Sequence, residues 1–196
     1  MLNLLYYPIS FVSGVLVKWV DWIDDEQGGK HLIKYPLAIA YGLLIGYLVS
    51  VAPFSEIFIA ALVAQVFARK VDTMAHDIGF ISAAIAIAFF GVPQISLVLF
   101  FYFLVLAFLD EQEFVGSLGF ISDYRPFLKL GSLLPLAFGR WEYAAGIWSF
   151  DIGYLLLQEI MKRTTKPEAK PKKAEARPKE KPAAKASASA KTRQAK

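Results

Sequence analysis

Apolar residues fill long stretches of this chain, and polar residues gather in the short segments between them. The first stretch, Asn3 to Val20, is broken only by Lys18, and at ~1.5 Å rise per residue a helix there nearly crosses a ~30 Å hydrocarbon core. Four more follow: Tyr35 to Ala52, closed by Pro53, then Ser55 to Ala68, Ile78 to Gly91 and Ile95 to Leu109. Pro126 to Phe138 is apolar but holds Lys129 and Pro135, and Tyr143 to Met161 is a full-length stretch with Asp151 at its middle. The pattern predicts an all-α fold: a polytopic transmembrane bundle of about seven short helices, the sixth either crossing or re-entrant. No basic residue precedes the first stretch and DWIDDE follows it where a small-residue cleavage site would belong, so it is expected to be retained as a helix rather than removed as a signal peptide.

Composition agrees with that pattern. The 196 residues are 56% apolar and 15% aromatic with a mean hydropathy of +0.45, more apolar than an average soluble domain. The absence of cysteine excludes a disulfide scaffold, an iron–sulfur centre and a thiolate zinc site. Charge divides the chain in two. Residues 162–196 hold 13 Lys/Arg and 3 Glu, a net of +10, whereas residues 1–161 hold 8 Lys/Arg and 14 Asp/Glu, a net of −6. The segment 162–196 contains no Val, Ile, Leu, Met or aromatic residue and is read as a disordered, basic C-terminal tail behind a transmembrane domain of residues 1–161.

Basic loops stay on the cytoplasmic side. If the stretches alternate in direction, Lys30, Lys34, Arg69, Lys70, Arg125 and Lys129 share one end, and the segments around Pro53 and Pro93 have no basic residue. That sets the N-terminus outside and the C-terminal tail in the cytoplasm, with Trp19, Trp22 and Trp141 near the interfaces. Gly42 and Gly46 have the GxxxG spacing that lets a second helix approach closely, within the bundle or in an oligomer. Asp77 to Ser82 and Ser117 to Ser122 echo one another too briefly to establish a repeat.

Candidate chemistry follows from the same topology. Ten of the 14 acidic residues before the tail fall at the cytoplasmic end: Asp21, Asp24, Asp25, Glu26, Asp72, Asp77, Asp110, Glu111, Glu113 and Asp123. Continuing the first helix one turn past Val20 puts Asp21 and Asp25 on one face, and continuing the third past Ala68 does the same for Asp72 and His76. Carboxylates with one imidazole suit Mg²⁺ or Mn²⁺, with Zn²⁺ a further choice, and Lys70, Arg125 and Lys129 would meet phosphate oxygens. The same carboxylates also fit solvated helix ends paired with Lys18, Arg69 or Lys70. Asp151, inside an apolar stretch, must be neutral, paired or aimed at a polar cavity, and Gln65, Tyr41, Tyr47 and Tyr154 are its candidate partners. His31, in GGKHLIK, is read as solvated.

Three functions are consistent with these residues. The first is a membrane protein whose acidic/His site binds a divalent metal and a phosphate-bearing lipid. The second is a scaffold or insertion factor whose tail contacts ribosomal RNA, anionic lipid or an acidic partner through charge, without sequence-specific nucleic-acid recognition. The third is a small transporter centred on Asp151. Several signatures are missing: the Asn-Asp-x-x-Asp motif of intramembrane prenyltransferases, DGxxAR of CDP-alcohol phosphotransferases, SGH of lipid phosphatases, GxSG of rhomboid proteases and the phosphate-binding loop GxxxxGK[ST].

Overall fold

The computed structural model describes residues 4–25, 31–112 and 124–164, all within one compact unit, Met1–Thr164. The helices are α1 (Tyr6–Asp25), α2 (Lys34–Val49), α3 (Ser55–Phe67), α4 (Met74–Phe90), α5 (Leu97–Asp110), the short α6 (Pro126–Gly131) and α7 (Glu142–Thr164). A 3-10 turn, Pro135–Phe138, lies between the last two, and no strand occurs among the described residues. Residues 162–164, read from the sequence as the start of the tail, are instead helical and complete the last turn of α7. Residues 165–196, and with them the expected disorder, lie outside the described residues, as do Glu26, Lys30, Glu113, Asp123 and the second half of the proposed echo.

Local chemistry sets the helix ends. Pro8 and Pro36 occupy first turns, where a missing N–H costs nothing. Thr73 and Ser96 cap α4 and α5 by accepting from the amides of His76 and Leu99. α4 stops at Gly91, whose φ of +81° suits glycine. α3 also ends at a positive φ, but in a different turn, closed by Arg69 N–H to Val66 O and Lys70 N–H to Gln65 O, and the residue there is Arg69 at φ +55°. That turn corrects the expectation that α3 continues through Asp72: Asp72 belongs to the connection, and His76 to the first turn of α4.

Among the described residues no helix is both long and apolar enough to cross a membrane. The long helices α1 and α7 carry charges, and the apolar ones, at 13–17 residues, are roughly 20–26 Å long. The sixth apolar stretch is not one helix. Pro126 and Pro135 start separate short pieces, with Ser132 buried at the break between them.

Packing relies on small residues turned inward. α4 buries Ala75, Gly79, Ser82, Ala83 and Ala86 while Ile81, Ile85 and Phe89 point outward. A Cβ on Gly42 would stand 2.2 Å from Gly79 O, and one on Gly46 would stand 2.5 Å from Ala83 O. Of the two roles open to the GxxxG face, within the bundle or in an oligomer, α4 of the same chain takes it for the first. α1 and α7 meet in the same way, Gly14 against Phe150 O and Gly153 against Phe11 O. In chain-neighbour terms α7, α1, α2 and α4 form one row, while α3 packs on α5 and α5 on α6. Phe54, Phe58, Phe103 and Tyr143 fill the core between them.

Candidate functional site: a charged cavity at one end of the bundle

Alternating helix directions bring the acidic end of α1, the starts of α2 and α4, the ends of α3 and α5, and α6 together. There they enclose a cavity of about 390 Å³, within the range of small-molecule sites. Its deep walls are apolar, including Ile45, Phe58, Leu62, Phe80 and Phe150, and its mouth is charged. The candidate metal, phosphate and intramembrane polar residues all line it: Asp21, Asp25, Asp72, His76, Lys70, Arg125, Lys129, Gln65 and Asp151.

Asp21 is the centre of the acidic wall. His76 Nε2 lies 3.0 Å from its Oδ1, and Tyr154 donates to its Oδ2 at 2.8 Å. A carboxylate only accepts, so Nε2 carries the proton of that contact. Nδ1 is buried without a hydrogen-bond partner, 3.8 Å from Asp72 Oδ1. Burial opposes ionisation of Asp21, but the hydrogen bond and charge of His76 and the Tyr154 hydroxyl outweigh it and hold the carboxyl below its ordinary value. The Asp21 bond in turn raises His76 above its ordinary value against the opposing effect of burial. Asp25 moves the other way, raised first by burial and then by the neighbouring Asp21 charge. All three lie outside the apolar stretches that end at Val20 and begin at Ile78.

Several carboxylates are already engaged. Asp24 pairs closely with Lys34 and accepts from Thr73 Oγ1 at 2.9 Å, joining α1, α2 and the cap of α4. Asp110 accepts from the amides of Phe127 and Leu128 at 2.8 and 2.7 Å, which anchors the start of α6. Asp151 faces the cavity but pairs with Lys129 at 2.9 Å, not with the expected Gln65, Tyr41, Tyr47 or Tyr154. An ammonium within reach offsets a buried carboxylate better than neutral donors do. Arg125, left-handed at φ +44°, lies 3.3 Å from Glu111 and stacks over the Tyr154 ring. His31 is exposed, as expected.

Sequence reasoning missed Asp24, Asp110 and Glu111 as organisers. Asp24 and Lys34 are ten residues apart, at the end of α1 and the start of α2, and the LDEQE run resembles an ordinary helix exit. Among the described residues no group of three His, Asp or Glu side chains is placed to hold a metal ion by itself. No protein-family model, curated protein or solved structure matches this chain.

Proposed function

We propose that the bundle sits in a bilayer with its charged end and tail on the cytoplasmic side, and that the cavity binds a phosphate-bearing amphiphile together with a divalent cation. Membrane embedding draws its support from the outer surface. Phe89, Val98 and Phe138 are 81%, 80% and 78% exposed, and α4 turns small residues in and large apolar ones out, the reverse of a helix in water. Short helices are accommodated by local thinning of the bilayer. Lys34, Arg69, Lys70, Arg125 and Lys129 share the charged end, which favours the cytoplasmic side for it.

The observation that carries the binding assignment is the cavity itself, a charged mouth above an apolar floor, matching a headgroup above its chains. Seven carboxylates and three Lys/Arg line it, so the lining favours a cation before an anion. Mg²⁺ and Mn²⁺ are commonly held by one or two carboxylates plus substrate phosphate oxygens, so no three-residue cage is needed. Asp21, by accepting from Nε2, orients His76 so that Nδ1 and Asp72 face the ion, with Asp25 beside them. Lys70, Arg125 and Lys129 then meet the phosphate by exchanging their present partners.

Native mass spectrometry of the protein released from mild detergent, with and without chelator, tests this. Expected are a co-retained phospholipid and Mg²⁺ or Mn²⁺, both lost with chelator, and loss of the metal in Asp72→Ala with helicity unchanged. Metal-free wild-type protein, or unchanged metal in the variant, overturns the assignment.

A further inference from the structure

Beside the cavity, between the C-terminal ends of α3 and α5, lies a shallower and more open groove lined by Phe67, Ala68, Arg69, Lys70, Phe108, Glu111 and Gln112. Lys70 and Glu111 line both spaces and so form the wall they share. The two non-glycine residues with left-handed backbones among the described residues are both arginines, one on each side of that wall: Arg69 in the groove and Arg125 in the cavity. A left-handed backbone favours glycine, so an arginine at each position sets a cation where backbone preference disfavours it. Arg69 is exposed and its side chain has no hydrogen bond or ion pair among the described residues, whereas Glu111 is already offset by Arg125. Phe67 and Phe108 are exposed apolar residues of the same groove.

Resting on the amphiphile assignment above, we propose that this groove is the lateral portal of the cavity. Arg69 receives the phosphate headgroup first while the chains lie along Phe67 and Phe108, and Lys70 passes it across the shared wall to Arg125. A purely aqueous phosphate site would have no use for the two exposed rings, and an apolar docking site would have no use for the two adjacent cations. The combination fits an amphiphile arriving from the cytoplasmic leaflet.

Arg69→Gly is the discriminating variant, because glycine suits the turn and the helix end persists while the charge is lost. The full chain in non-ionic detergent with Mg²⁺ is mixed in a stopped-flow instrument with dioctanoyl phosphatidic acid carrying a fluorophore on one chain. A portal acts equally in both directions. Association and dissociation are therefore expected to slow together by about five- to tenfold with Kd unchanged, while Arg163→Gln on the exposed end of α7 alters neither rate. Ala68→Trp, which fills the groove, is expected to slow both rates as well. Wild-type rates in Arg69→Gly and Ala68→Trp, or a weakened Kd with dissociation unslowed, overturn the portal and leave the cavity assignment standing. No binding by wild-type protein overturns both. Inorganic phosphate is the second probe, and its retention with the same Arg69 dependence would overturn the amphiphile as occupant.

Discussion

The Lys129–Asp151 pair joins α6 to α7 across the cavity, and its environment sets what breaking it costs. Nζ and Oδ2 are 2.9 Å apart with the side chains 12% and 19% exposed. Exposed pairs contribute about 0–1 kcal/mol, but removing one partner of a buried pair costs roughly 3–5 kcal/mol because a charge is left uncompensated. The residual exposure favours the lower end of that range. Lys129→Met or Asp151→Leu alone is therefore expected to cost about 3 kcal/mol, a fall of roughly 6–12 °C in thermal midpoint for a chain of this size. The double variant removes both charges and is expected within about 1 kcal/mol of wild type. Tryptophan fluorescence of the detergent-solubilised proteins on heating gives the four corners of the double-mutant cycle. A coupling below about 0.5 kcal/mol would refute the reasoning, since the two side chains would then act independently.

Asp110→Ala strands two amides at the start of α6 and is expected to destabilise the protein by about 2–4 kcal/mol, checked by the same melting experiment; a loss below ~1 kcal/mol would mean water replaces the carboxylate. Gly42→Ala forces a Cβ against Gly79 O and is expected to lower stability by about 1–3 kcal/mol without changing the oligomeric state, read by melting and light scattering. The Asp21–His76 pair predicts a pH window. His76 is raised above 6.5, so its contribution is complete below 6.5 and fades as pH rises through the folded value; Asp21 is held below 3.8, so its contribution is complete above 3.8 and fades as pH falls through the folded value. With chelator present, the difference in thermal midpoint between wild type and His76→Gln is expected to be greatest between those values and to shrink toward alkaline pH. A difference that stays constant with pH contradicts it.

Much of the site was legible because charge in so apolar a chain has few places to go. Alternating helix directions were enough to place Asp21, His76, Lys70, Arg125 and Lys129 at one end, where they line one cavity. What could not be read was who pairs with whom. Asp151 pairs with Lys129 of α6, a short helix whose bounds depend on how Pro126 and Pro135 divide a run that looks continuous by hydropathy. The end of α3 was misplaced for a similar reason. Nothing in the residue type of Arg69 announces a left-handed turn, because such turns are usually recognised by glycine. The role of Gly42 and Gly46 was legible as close approach but not as to which helix approaches, since α4 offers its small residues on the same spacing.

The unequal ways in which the helices join have a mechanical consequence. α1 with α7 and α2 with α4 meet backbone to backbone, with glycines at carbonyl contact, so relative sliding in those pairs meets steep repulsion at once. α3 and α5 are held through larger side chains such as Phe58 and Phe103, which yield by rotamer changes. The bundle thus holds two stiff helix pairs, α1 with α7 and α2 with α4, beside a softer α3–α5 pair, and the cavity lies along the seam between them. Lys129–Asp151 crosses that seam as an ionic tether. A ligand bringing its own phosphate to Lys129 would slacken the tether as it binds, coupling occupancy of the cavity to the width of the seam.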